Sequence, residues 1–190
     1  VITGFRLGLG GAHGRFGIRP DLMTMGKAMA GGIALSAVAG KRDIMDLIGS
    51  GKVSHLGTLN GNCVATAAGL ATIDMLSRND GELLRDMERI AVRLAEGLRR
   101  LMGKHGFRGV VNQIGPVFHM MFVDRDEVRT FREFSERDSV MYSRFAEKML
   151  HEGVMIRTNG LWYVSAAHGE DEAERTLAAA DRGLAALARE

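Results

Sequence analysis

The chain has 190 residues, 46% of them hydrophobic, and its 25 basic and 23 acidic side chains leave a net charge of +2. This composition excludes a disordered chain and offers no electrostatic footprint for nucleic acid, while the length suits one to two domains with a sizeable core. Cys63 is the single cysteine and the six histidines are scattered, which excludes an internal disulfide framework and argues against a zinc site.

No apolar run approaches a membrane span and no signal peptide is visible, so the expected location is the cytoplasm. Residues 1–20 hold six glycines and read as loop, with His13 in a surface turn. Pro20-Asp21 suits a turn into Leu22-Met23-Thr24-Met25, which reads as a short buried strand. Gly26 then lets the backbone turn, and Lys27 stands at the strand's end. The run Ala28-Met29-Ala30-Gly31-Gly32 carries almost no bulk. A lysine in such a place is expected to be crowded and desolvated, which favours the neutral, nucleophilic amine of Schiff-base chemistry. A solvated lysine in a turn is the plainer use of the same residue.

Residues 35–39 read as another strand and residues 41–48 as a helix, with Ile44, Leu47 and Ile48 at helical spacing. Residues 54–62 are polar and glycine-rich, ahead of an alanine-rich helix over 63–76. A helix start offers free N–H groups and the positive end of the dipole. Gly57 permits close approach and Thr58 adds a hydroxyl, so this is a candidate phosphate seat. Alternatively, Asn60 or Asn62 caps the helix.

A polar break at 77–81 precedes a strongly amphipathic helix over 82–102. Leu83, Met87, Ile90, Leu94, Leu98 and Leu101 form its apolar stripe, and Gly103 and Gly106 are its expected stops. Residues 109–113 and 117–123 read as strands around a Gly115-Pro116 turn, with His119 packed between apolar neighbours. The charged run 124–138 reads as a solvated excursion. Residues 139–152 form an amphipathic helix with Tyr142, Phe145, Met149 and Leu150 as core positions. Residues 154–156 and 161–165 suggest a hairpin around Asn159-Gly160. A last helix over 170–188 starts with three acids and turns Leu177, Leu184 and Leu187 inward.

The order of Pro20-Asp21-Leu22, Gly26-Lys27, the small-residue run and Gly57-Thr58-Leu59-Asn60-Gly61-Asn62 resembles the class III family of pyridoxal-phosphate aminotransferases. The opening Val1-Ile2-Thr3-Gly4-Phe5-Arg6, the Gly10-Gly11-Ala12 step and Ala166-Ala167-His168 fit the same family. Within it, the chain looks most like the glutamate-1-semialdehyde 2,1-aminomutase members. The resemblance covers the later part of such an enzyme. It implies an α/β chain of the fold type I pyridoxal-phosphate transferase class. Residues 1–79 would be the C-terminal part of the large cofactor domain, and residues 80–190 the α+β C-terminal small domain.

The same resemblance implies pyridoxal 5′-phosphate as cofactor and Lys27 as its Schiff-base residue. Thr58, beside Gly57, corresponds to the threonine that reaches the phosphate of the cofactor held by the neighbouring subunit. A homodimer with shared active sites follows as an expectation. Arg157, in Arg157-Thr158-Asn159-Gly160-Leu161, resembles a carboxylate-binding arginine. The implied partners are a small amino or oxo substrate, with no nucleic acid, membrane or metal. The expected activity is transfer of an amino group between an amino acid or amine and an oxo acid or aldehyde. Intramolecular aminomutase chemistry is the alternative, and a non-catalytic assembly module of the same fold is a third reading. The family places an Asp-Glu pair just before the motif at Val1, and that aspartate pairs with the pyridine nitrogen. The chain is therefore expected to be a piece of a longer polypeptide that needs its missing segment for activity.

Overall fold

The computed structural model describes all of residues 1–190. It divides into two compact units, Val1–Leu84 and Arg85–Glu190.

In the first unit, β1 (Leu22–Met25) pairs antiparallel with β2 (Ala37–Gly40), Leu22 facing Gly40 and Met25 facing Ala37. The pair is a two-stranded ribbon. A ribbon has no flanking strands to bury its faces, so β1 is not the buried strand its composition suggests. Leu22 is 49% exposed, and only Met23 and Met25 are half-buried. Residues 1–20 also depart from the loop expectation, because Gly11–Phe16 forms a short helix, α1, closed by Gly17 in the left-handed region. A Cβ at Gly11 would lie 3.0 Å from the Gly4 Cα, so glycine here permits backbone contact that no other residue allows. His13 is exposed on this helix.

Helix α2 (Arg42–Gly49) follows, and then α3 (Cys63–Ser77). Asn62 caps α3 by accepting a hydrogen bond from the Ala65 N–H at 3.0 Å. Helix α3 packs on the 3-10 turn Lys27–Ala30. Gly69 makes room there, since a Cβ would fall 2.7 Å from Leu35 Cδ2. Asn79, Asp80 and Gly81 are successive left-handed residues, a backbone that ends helical propagation.

The second unit is built on an antiparallel sheet of order β3 (Gly109–Ile114), β4 (Val117–Phe122), β5 (Leu161–Tyr163). Helices α6 (Ser139–His151) and α7 (Glu170–Leu187) pack on each other, and α6 packs on β4. Helix α4 (Glu82–Lys104) buries Met87, Ile90, Leu94, Leu98 and Met102, close to the stripe its periodicity predicts. Gly97 supplies the contact with α7, because a Cβ would fall 2.5 Å from Leu177 Cδ2. Phe145 is fully buried, its ring 6.0 Å from Phe122 and 5.9 Å from Tyr142.

Four expectations in this unit are corrected. Gly103 lies inside α4, and Gly106 at φ 76° follows it, with Phe107 N–H returning to Met102 O at 2.9 Å. Leu150 is 59% exposed, since it falls on the far side of α6 from Phe145 and Met149. The charged run is anchored as well as solvated. Val128 is buried with Val110, Met121 and Val123, and Thr130 and Glu133 form a capping box on α5 (Phe131–Phe134). Residues 154–156 form no strand. The Gly160 carbonyl accepts from Met120 N–H at 3.0 Å, so the turn leads into β5 on the edge of β4 instead of closing a local hairpin.

Candidate functional site

Lys27 follows buried Gly26 at the end of β1 and begins the 3-10 turn. Its φ is 50°, one of four non-glycine residues in the left-handed region. That conformation costs a residue with a Cβ roughly 1–2 kcal/mol, and such strain concentrates at functional positions. The side chain is exposed, which corrects the expectation of a crowded, desolvated amine. The reason is the ribbon: β1 has one neighbour, and the small residues after Lys27 leave its stem uncovered. Its amine takes no part in ion pairs of the kind that occupy Lys41, Lys104 and Lys148. An accessible primary amine of this kind fits an aldehyde-bearing group.

Gly57 and Thr58 lie in an exposed turn in which Asn60 N–H donates to the Gly57 carbonyl at 3.0 Å. Thr58 precedes the first residue of α3, Cys63, by several positions, so its hydroxyl belongs to this turn and not to the helix start. At the helix start itself, the Ala65 N–H is taken by Asn62. The phosphate donors this segment can offer are therefore the Thr58 hydroxyl and free backbone N–H groups of the glycine turn. That donor set fits a phosphate.

Arg157 lies in the second unit. It is exposed and lines a groove with Leu94, Val154, Leu161, Trp162 and His168. The groove's back wall is held by two contacts. Trp162 stacks on Phe118 at 5.2 Å and donates its indole N–H to the Tyr142 hydroxyl at 2.7 Å. Burial pushes the Tyr142 phenol above its ordinary value, so it stays protonated. His119 is half-buried, packs against Phe134 at 5.0 Å and bonds to the Asn159 carbonyl at 2.7 Å. Burial lowers its pKa, as expected of a packed histidine. The sequence carries no periodic signal for the groove, because its walls come from α4, β5, α7 and the turns between them. The left-handed backbone at Lys27 is equally invisible there.

The family model for aminotransferase class-III matches residues 1–168, so the chain belongs to that family. It is 40% identical to a glutamate-1-semialdehyde 2,1-aminomutase of Pyrobaculum islandicum over 193 residues, which cover 98% of this chain and 44% of that protein. An omega-transaminase from Sphaerobacter thermophilus superposes with a TM-score of 0.86 at 26% identity, covering 100% of this chain and 43% of that one. A transaminase with PLP bound shares the fold at a TM-score of 0.84 and 24% identity, over 97% of this chain and 42% of the other. The fold is thus that of a fold type I pyridoxal-phosphate transferase, and the chain spans less than half the length of the relatives it matches. No helix is long and apolar enough to cross a membrane.

Proposed function

We propose that this chain carries the reactive lysine and part of the cofactor and substrate contacts of a pyridoxal-phosphate aminotransferase. The observation that carries the reading is Lys27, an accessible amine on a left-handed turn directly after buried Gly26, in a chain of the class III family. When bound, pyridoxal phosphate supplies the electron sink for carbanion chemistry. Lys27 Nζ is the group that would hold the cofactor covalently, and as a free amine it would be the base that takes and returns a proton. The Thr58 hydroxyl would donate to the cofactor phosphate across a homodimer interface, and Arg157 would pair with a substrate carboxylate. Residues 1–79 serve the cofactor and residues 80–190 form the small domain.

A second reading, intramolecular amino transfer, is favoured by the 40% identity to the aminomutase. Both readings use the same lysine. They differ in whether the amino group leaves for a second molecule. A turnover assay on the longer polypeptide separates them: an aminotransferase needs an oxo acceptor, and an aminomutase converts glutamate-1-semialdehyde without one.

The test of the shared chemistry is borohydride reduction in the presence of pyridoxal phosphate, followed by peptide mapping. A single adduct at Lys27 supports the reading. An adduct elsewhere, or no absorbance band on adding cofactor to the longer polypeptide, overturns it and leaves the assembly module.

A further inference from the structure

The turn that carries Arg157 has few bonds of its own. Before it, the Val154 N–H returns to the Met149 carbonyl at 2.9 Å, and residues 155–158 make no backbone–backbone hydrogen bond. The first fixed point after Arg157 is the Asn159 carbonyl, 2.7 Å from Nε2 of His119 on β4. Met120 N–H then donates to the Gly160 carbonyl at 3.0 Å, and Leu161 N–H to Asn159 Oδ1 at 3.2 Å. A carbonyl can only accept, so His119 carries its proton on Nε2, and Nδ1 of the neutral ring holds the lone pair. Gly160 is fitted to this ring. A Cβ there would fall 2.6 Å from His119 Nε2 and 2.7 Å from its Cδ2.

The other side of the ring meets the charged run 124–138. His119 shares a face of β4 with Met121, and on that face Val128 and Phe134 cover the sheet. The Phe134 ring lies 5.0 Å from the imidazole, and the Arg137 guanidinium sits 3.7 Å over the Phe134 ring. Across the register, Asn112 stands opposite His119 and donates to the Val128 carbonyl at 2.8 Å, tying the run to the same point of the sheet. Burial and the Arg137 charge both resist a second proton on the ring, against the pull of the Asn159 bond. The nearby acids are engaged elsewhere: Glu133 accepts from the Arg129 and Thr130 N–H groups, and Asp138 from the Met141 N–H. Arg132 is exposed on α5, β3 carries no titratable side chain, β5 carries only Tyr163, and the turn itself carries Arg157.

We propose that His119 is the positioning residue of the Arg157 turn, that it works as a neutral Nε2–H donor, and that the run 124–138 is a strap seated on its ring. A proton on Nδ1 unseats the strap and frees the turn. The seated ring resists that proton, whereas a ring released to water takes it at the ordinary histidine value. Opening is therefore rarest above about pH 6.5 and grows as pH falls from there towards the lower folded value. The consequence for substrate rests on the aminotransferase reading; the seating of the turn does not.

The experiment compares the longer polypeptide with its His119→Gln and His119→Leu variants. Glutamine keeps a donor near the Nε2 position but cannot take the proton, and leucine keeps only bulk. Amide exchange, corrected for the intrinsic effect of pH, is read at Met120 and Leu161, whose N–H groups end on the turn. In the parent it should rise several-fold as pH falls through the histidine range. In His119→Gln it should stay near the parent's neutral level and ignore pH. In His119→Leu it should be about tenfold faster at every pH, the loss of one hydrogen bond. Phe134→Ala should also speed it, and no change there overturns the strap. In turnover, His119→Leu should raise KM several-fold for carboxylate substrates with kcat and the KM of simple amines held, and His119→Gln should restore that KM. Parent exchange that ignores pH overturns the proposal, as does exchange in His119→Leu equal to the parent's, or exchange in His119→Gln as fast as in His119→Leu. A uniform loss across all substrates marks His119 as a packing residue and overturns it too. Should His119→Leu fail to fold, the pH response of the parent against His119→Gln decides alone. Labelling of Lys27 is read separately. Exchange that follows His119 without a label refutes the aminotransferase reading alone, and a label with exchange that ignores His119 refutes this proposal alone.

Discussion

The two units differ sharply in how much apolar side chain they bury. The first unit buries only Leu7, Ala30, Ala65 and Leu76 among its apolar side chains, whereas the second buries a full core from Met87 to Leu187. Every one of the largest fully buried side chains lies in the second unit. Yet the first unit carries Lys27 and Thr58, and it leaves Leu56, Leu59, Val64 and Leu70 more than 60% exposed. Helix α3 is apolar on all sides, a composition suited to a helix covered all round. Large exposed apolar patches mark surfaces that meet something else. The lesson is that the proposed cofactor contacts, Lys27 and Thr58, sit on the unit with little buried core, whereas the larger core lies in the unit that carries the groove.

The sharpest test of that contrast is a pair of truncations. Phe145→Ala removes a fully buried ring from the second unit and should cost about 3–5 kcal/mol in denaturant unfolding. Lys27→Ala removes an exposed side chain and should leave stability within about 0.5 kcal/mol while abolishing covalent cofactor attachment in the longer polypeptide. A stable Phe145→Ala variant, or an unfolded Lys27→Ala variant, breaks the comparison.

Glycines give a second contrast. Gly160 has φ 88°, and a Cβ would fall 2.5 Å from the Met120 carbonyl oxygen, so Gly160→Ala should destabilise the second unit by roughly 2–3 kcal/mol. Gly32 in the first unit has φ 110° but open space around it, and Gly32→Ala should cost only the backbone strain, about 1 kcal/mol. Thermal melts of the two variants measure the difference.

Thr58→Ala should weaken cofactor binding in the longer polypeptide by about 1.5–3 kcal/mol, because one hydrogen bond to a charged phosphate is lost. Its own stability should not change, since the turn is exposed. Unchanged cofactor affinity removes Thr58 from the site, and a fully active monomer removes the shared interface.

Equivalent caps probe the two units most gently. Asn62 caps α3 and Asp138 caps α6, each through a backbone N–H three residues on. Either change to alanine should cost about 1 kcal/mol. Asp138→Ala should lower global stability, whereas Asn62→Ala should raise hydrogen exchange locally at the start of α3.

A pH measurement completes the series. Lys104 and His105 both bond to Asp181 and hold its carboxyl below the ordinary value. A depressed folded value means stability that is fully present above the ordinary aspartate range, near pH ~4, and is lost as pH falls through the lower folded value. Asp181→Asn should therefore flatten part of the acid-side loss of stability of the second unit. The effect should be small, because Lys104 is mostly solvated and Asp181 is partly exposed. A variant with the same acid profile as the parent assigns that loss to other carboxylates.

Much of this was legible in the residues themselves. The α4 stripe, the β3–β4 hairpin with its Gly115-Pro116 turn, α3, α6 and α7 all follow from period and punctuation. Those signals are local, and the elements they specify need only one dominant face to be placed. The family was legible too, since glycine, lysine and threonine at given points in the order survive as a pattern when the surrounding packing is unknown. What the residues could not carry was anything that depends on a neighbour distant in the chain. Residues 154–156 read as a strand but form none, because Gly160 bonds to Met120 and draws the chain to the far edge of β4. Leu22 to Met25 read as buried but lie on a two-stranded ribbon, because burial is decided by what stands on the other side. His168 carried no local signal; its company with Arg157 and Trp162 follows from the way α4, β5 and α7 meet. Sequence by itself determined the elements and the family, because periodicity and residue order are properties of one segment at a time. The tertiary structure alone decided the exposure of Lys27, the groove and its donors, because each is made by residues that only folding brings together.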